Sequence, residues 1–169
     1  MTASRPVLLV RRLARAKALD VAAQRPHAIV LGADTIVVHR GVVLGKPGSP
    51  DEARSMLARL GGRTHRVITA VTVLAPGARP CVEHVVTRVR MRQYGPEEVE
   101  AAIERGEPFD KAGGYAIQDP LLHPVARYEG CYCNVVGLPL IASLRLLQHA
   151  IPGLEHGDLP DVCSNCPCR

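Results

Sequence analysis

The sequence predicts a mixed α/β fold, an α+β arrangement around one sheet. Three observations carry this. Helix-like and strand-like segments alternate along the chain, Arg40-Gly41 sits as a tight-turn signal between two apolar runs, and two long β-branched runs follow each other. The 169 residues suffice for one domain with a real core.

Residues 7–24 read as a helix, with Leu9, Leu13, Ala16 and Val21 near helical spacing. "HAIVLG" at 27–32 reads as a short buried strand, and Asp34 sits where that strand meets a turn. "TIVVH" and "VVLG" flank the Arg40-Gly41 hairpin. In "GSPDEARSMLARLGG", Ser49 is the expected N-cap and Pro50 takes the first helical position. Glu52 closes a capping box, and Gly61 and Gly62 stop the helix.

"HRVITAVTVLA" and "CVEHVVTRVRMRQY" are long strands separated by "PGARP". "GPEEVEAAIERGE" is a helix with acids in its first turn and Gly106 beyond its end. "DKAGGYAIQD" is a glycine-containing loop. "YEGCYCNVVG" reads as a strand on which Cys131 and Cys133 share a face as small core residues. "LPLIASLRLLQHAI" is an apolar helix with Pro139 near its start. Residues 1–151 thus form the expected single domain, and 152–169 a flexible, cysteine-containing tail.

Composition narrows the function classes. Apolar residues make up 47% and charged residues 22%, as in ordinary globular proteins. No apolar run reaches membrane-spanning length, and "VLLV" is too short for a signal-peptide core, so no membrane partner and a cytoplasmic location are expected. The net charge of +5 is concentrated in residues 1–26, where Arg5, Arg11, Arg12, Arg15, Lys17 and Arg25 face Asp20 alone. Nucleic acid is not an expected partner, because Trp is absent and aromatic residues are 3%, leaving few stacking platforms. The basic stretch reads as a solvated helix face.

The chain has eighteen arginines and only three lysines, Lys17, Lys46 and Lys111. A position that keeps Lys against this background suits a compact ammonium on a flexible stem. The tail "CSNCPCR" offers three thiols at metal-like spacing, with His149 and His156 nearby. Structural zinc normally takes four ligands in two pairs, so the tail reads as loose and oxidisable.

Asp34 can hold a hard cation or activate a water, and an Asp at a turn can equally cap backbone amides. Lys46, between Gly45 and Pro47, can present a point charge to phosphate or sit solvated on its loop. "LGKP" lacks the P-loop frame. Lys111, Tyr115 and Gln118 share the glycine loop, and the Gln118 amide could read a base edge. Glu129 and Asn134 could face a ligand or serve structure, with Asn134 fixing the loop that follows it. Asp with lysines suits metal-assisted attack of water on a phosphoanhydride better than covalent catalysis.

These segments together resemble the Maf family of nucleoside triphosphate pyrophosphatases. The matching stretches are "LARAKALDVA", "LGADTIVV", "VVLGKP", "EARSMLARLGGRTHRVITAV", "EEVEAAIERGEPFDKAGGYAIQ" and "NVVGLPL", in family order over residues 11–147. The resemblance implies a fold like that of the inosine triphosphate pyrophosphatases, an elongated mixed sheet with flanking helices and a central cleft. It implies cleavage of a nucleoside triphosphate to monophosphate and diphosphate with Mg2+ or Mn2+.

Asp34 matches the family's catalytic acid and metal position. Lys17 and Lys46 match lysines that face the phosphates, and Lys111 matches a further motif lysine. Thr35 and Gln118 look like the subfamily that prefers dTTP and UTP. The implied roles are housecleaning of modified nucleotides and arrest of septum formation. Family members begin with a strand and a Ser- and Arg-rich phosphate loop resembling "SASPRR", which this chain is expected to lack together with a metal carboxylate. The alternative is therefore a catalytically impaired nucleotide-binding remnant acting through a partner. A sheet edge left open would be covered by homodimerisation. Asp119 stands where the family usually has glycine.

Overall fold

The computed structural model describes residues 4–155, 157–163 and 166–167. The chain is a mixed α/β protein built on a five-stranded sheet flanked by helices. Its strands are β1 (Val30–His39), β2 (Val42–Leu44), β3 (Thr64–Leu74), β4 (Cys81–Met91) and β5 (Val125–Glu129), in spatial order β2-β1-β3-β4-β5. The pairings at both ends of the sheet, β1 with β2 and β4 with β5, are antiparallel. The helices are α1 (Arg5–Gln24), α2 (Pro50–Leu60), α3 (Pro96–Glu104), α4 (Tyr132–Val136) and α5 (Leu140–Ala150). Among the described residues no helix is long and apolar enough to cross a membrane.

The chain divides into two compact units. The first comprises Met1–Thr35, Ile68–Val86 and Gly130–Arg169, and the second Ile36–Val67 and Thr87–Glu129.

In the first unit, α1 starts at Ser4 with a proline in its first turn, as its fixed φ favours. The expected apolar face is corrected here. Leu13 and Val21 are exposed, and the helix buries Val7, Val10, Ala14 and Ala18 instead. The cause is close approach. A Cβ on Gly32 of β1 would lie 2.9 Å from the Ala14 carbonyl oxygen and 2.9 Å from the Ala18 amide nitrogen. Only small residues fit a helix pressed this tightly on a strand.

β1 also differs from the expectation. It runs unbroken from Val30 to His39, so Asp34 lies within the strand and not at its end. Side-chain hydrogen bonding and an ion pair hold the polar residues of this stretch in place of a turn.

The segment expected as one cysteine-bearing strand is two elements. β5 ends at Glu129, Gly130 adopts φ 130°, and α4 follows. The Cys131 Sγ accepts from the Asn134 N–H at 3.3 Å, which closes the first turn of α4. Cys131 and Cys133 are buried, with Cys163 and Cys166, against Val85, Ile141 and Ala142. Cys163 and Cys166 come from the stretch expected to be a loose tail. Burial pushes the Cys133 thiol up to about 12, with Cys163, Cys131 and Cys166 adding to the shift.

In the second unit the hairpin forms as expected. Arg40 (φ 50°) and Gly41 (φ 81°) are both left-handed, the geometry of a two-residue turn between paired His39 and Val42. Ser49 caps α2 by accepting from the Glu52 N–H at 3.2 Å. Glu52 reaches back to the Gly48 N–H at 2.7 Å, one residue earlier than a capping box requires. α2 is tied to α3 by Arg54, which grips Glu100 at 2.5 and 2.8 Å. On β4 and β5, exposed Arg90 and Arg127 stand directly opposite each other.

His65 of β3 is buried and bonds the Tyr115 hydroxyl at 2.6 Å, while its Nδ1 has no partner. Burial, and then the nearby His39, lower its pKa from 6.5 to about 4. The unfolded chain therefore takes up a proton at His65 in a range where the folded chain does not. The stability that depends on neutral His65 is complete above about pH 6.5 and is lost as pH falls towards 4, by up to roughly 3 kcal/mol at 1.36 kcal/mol per pH unit. Urea midpoints measured at pH 7 and pH 5 should fall more steeply for this chain than for His65→Gln. Equal falls would remove His65 from the account.

Candidate active site

In the first unit the site residues gather at the middle of β1. The Lys17 ammonium, from the stretch of α1 flanked by Ala14 and Ala18, lies 2.5 Å from Asp34 Oδ1. The Asp34 side chain is 15% exposed and that of Lys17 61%, so the carboxylate is half-sheltered while its cation faces solvent. The close packing of α1 on Gly32 fixes this distance, because it sets the helix two residues along the strand from Asp34.

Thr35 joins a buried polar network. Its Oγ1 lies 2.9 Å from Thr69 Oγ1, and Thr69 donates its hydroxyl to the Asn134 carbonyl at 2.8 Å. The Asn134 Oδ1 accepts from the Thr69 N–H at 3.0 Å. Asn134 is fully buried, so leaving these groups unpaired would be costly. Its amide thus holds β3, and its carbonyl accepts from the Gly137 N–H at 3.2 Å where the following loop begins. Sequence reasoning passed over Thr69, although a threonine inside "VITAVTV" was a signal of a polar contact within an apolar strand.

In the second unit Lys46 and Lys111 lie on two segments that dock together. The Gly113 N–H donates to the Gly45 carbonyl at 2.9 Å. Gly113 and Gly114 have φ of 74° and 76°, and a Cβ on Gly113 would press on Val37 at 3.0 Å. Glycine is required there for the turn to seat.

Lys46 is exposed. The Lys111 ammonium is held by Asp110 at 2.6 Å and Glu107 at 3.3 Å. Burial works against the Lys111 charge, and these two acids outweigh it, raising its pKa. Asp110 is lowered chiefly by its bond to Lys111, with the Lys46 charge contributing. The two lysines thus share one acidic neighbour.

Gln118 is exposed on a turn, and Glu129 stands exposed opposite Arg88. Asp119 has a structural task. Its carboxylate accepts from the Leu121 and Leu122 N–H groups at 2.9 and 3.0 Å and faces Arg105 at 3.3 Å. Burial opposes ionisation, and these contacts prevail and lower its pKa.

The donor set can be tested against a divalent cation. Mg2+ commonly takes one or two carboxylates and completes its shell with waters and substrate phosphates. Asp34 offers one carboxylate. Among the described residues no three His, Cys, Asp or Glu side chains stand as a formed metal site. A single carboxylate suits a cation that arrives on a triphosphate and keeps most of its shell as waters and phosphate oxygens.

The chain, a mixed α/β protein, belongs to the Maf family. It matches the family described as Maf-like protein over residues 2–150. Among its relatives, a protein of Thermomicrobium roseum named dTTP/UTP pyrophosphatase is 57% identical over 167 residues, covering 97% of this chain and 76% of the relative. The dTTP/UTP pyrophosphatase of Moorella thermoacetica is 52% identical over 151 residues, covering 89% and 77%. That of Symbiobacterium thermophilum is 48% identical over 145 residues, covering 86% and 74%.

Proposed function

We propose that this chain hydrolyses dTTP, UTP and related pyrimidine triphosphates to the monophosphate and diphosphate. The observation that carries the reading is the 2.5 Å pair of Lys17 with Asp34. A base that activates water must be held still, and the Lys17 ammonium holds the Asp34 carboxylate in place. Asp34 takes a proton from water as the water oxygen bonds to phosphorus and the α–β phosphoanhydride breaks.

Lys17 offsets phosphate charge next to the reacting group. Lys46 and Lys111 are assigned to offsetting phosphate charge, with Asp110 beside both. Mg2+ or Mn2+ bound to the triphosphate would neutralise its oxygens and draw electron density from phosphorus.

Thr35 and Gln118 are assigned to reading the pyrimidine, since a hydroxyl and an amide can pair with its carbonyl and N–H groups. The cellular role that follows is removal of modified pyrimidine nucleotides, with septum arrest as a second role for the same chemistry.

The test is pyrophosphate release from a panel of nucleoside triphosphates with Mg2+ or Mn2+. Release from dTTP and UTP ahead of ATP and GTP is expected. A folded chain that binds nucleotide and releases nothing would replace this reading with a non-catalytic nucleotide-binding protein.

A further inference from the structure

Four of the six cysteines come together away from the residues assigned to hydrolysis. Cys131 and Cys133 flank the start of α4, and Cys163 and Cys166 come from a short 3-10 turn (Asp161–Cys163) and the residues after it. Their exposures are 1%, 8%, 1% and 7%. A core can use a cysteine as a small apolar residue. Four in one cluster, as a Cys-x-Cys and a Cys-x-x-Cys thirty residues apart, supply two pairs of thiols, the second at the spacing usual for zinc.

One pair of sulfurs is already close. The Cys133 and Cys163 sulfurs are 3.6 Å apart. A disulfide would hold them at about 2.05 Å. Two thiolates on one tetrahedral zinc, each about 2.3 Å from the metal, are separated by about 3.8 Å. The Asn134 N–H already donates to the Cys131 sulfur at 3.3 Å, the kind of outer contact that orients a thiolate ligand and offsets its charge. Val85, Ile141 and Ala142, with Leu140 and Leu159 beside them, wall the cluster with apolar groups.

We propose that Cys131, Cys133, Cys163 and Cys166 bind one zinc ion that fastens the C-terminal segment to α4. No three of these sulfurs yet stand as formed ligands. Binding therefore requires the four sulfurs to converge, and each thiol that binds gives its proton to solvent. The ion is structural, with all four positions taken by sulfur and none left for substrate. Because α4 also carries Asn134, the clasp steadies the residue that bonds Thr69.

Metal analysis of the full chain, purified under reducing conditions, should find one zinc per chain. After chelation, titration with Co2+ alone should give the thiolate charge-transfer and tetrahedral d–d bands, lost in Cys133→Ser and Cys163→Ser and kept in Cys81→Ser and Asp34→Asn. X-ray absorption on the unaltered zinc-loaded protein should show a sulfur-only shell, a readout that does not depend on how the variants fold. A shell with oxygen or nitrogen ligands would overturn the proposal. So would equal binding in the Cys133→Ser, Cys163→Ser double variant. A Cys133–Cys163 disulfide, with no zinc taken up after its reduction, would overturn it in favour of a covalent staple.

Discussion

Replacing Asp34 with asparagine is expected to lower pyrophosphate release from dTTP or UTP by about 10²- to 10⁴-fold, the usual contribution of a positioned general base. Asparagine keeps the size of the side chain and removes only the group that can accept the proton. The fold should survive. The Lys17 side chain is 61% exposed, so water solvates its ammonium once the partner is gone, and exposed pairs contribute about 0–1 kcal/mol. The variant should therefore unfold within a few degrees of the parent at about 2–4 °C per kcal/mol for a chain of this size. Nucleotide affinity, measured by calorimetry, separates catalysis from binding. Undiminished turnover would remove Asp34 from the role of base, and loss of the fold would make its part structural.

Gly32→Ala is expected to be the most damaging conservative change in the first unit. The added methyl would meet the Ala14 carbonyl oxygen and the Ala18 amide nitrogen at 2.9 Å, and the Ala18 Cβ at 3.0 Å. Two of those neighbours are helix backbone, which cannot rotate away as a side chain would. Overpacking of this kind costs roughly 1–3 kcal/mol, which corresponds to a fall in Tm of about 2–12 °C.

A functional loss should accompany it. The helix can relieve the clash only by moving off β1, and Lys17 moves with it, away from Asp34. Gly45→Ala is the control. A Cβ there has nothing within 4 Å, and its stability should match the parent's. Thermal scans and turnover on both variants decide the matter. A Gly32→Ala protein of parental Tm would show that α1 is not held by this contact.

The punctuation of the fold was legible in the sequence because its signals are local. Arg40-Gly41 makes a hairpin and Ser49 caps α2 through bonds spanning two or three residues. The faces were harder to read. The spacing of Leu9, Leu13, Ala16 and Val21 suggests a plausible apolar stripe, yet α1 buries alanines because Gly32, on another element, invites them close. Cys131 and Cys133 alternate as strand residues would. Gly130 breaks the strand and a sulfur–amide bond starts a helix.

At the site, the lysine scarcity pointed to Lys17, Lys46 and Lys111, and two of them prove to be engaged in ion pairs. The partners could not be read. That Lys17 meets Asp34, or that Lys111 is shared with Asp110 and Glu107, depends on how the elements pack.

The pair of arginines facing each other across β4 and β5 bears on how copies of the chain behave in company. β5 ends the sheet, and on it stands Arg127, opposite Arg90 and repelled by it. That repulsion costs the fold a little and guards the edge, since another strand approaching β5 meets concentrated positive charge before it meets hydrogen-bonding groups. The guard is electrostatic and so has a range, about 10 Å at 0.1 M salt and shorter above it. Concentrated solutions of this protein should therefore stay clearer in dilute buffer than in high salt, where that protection thins.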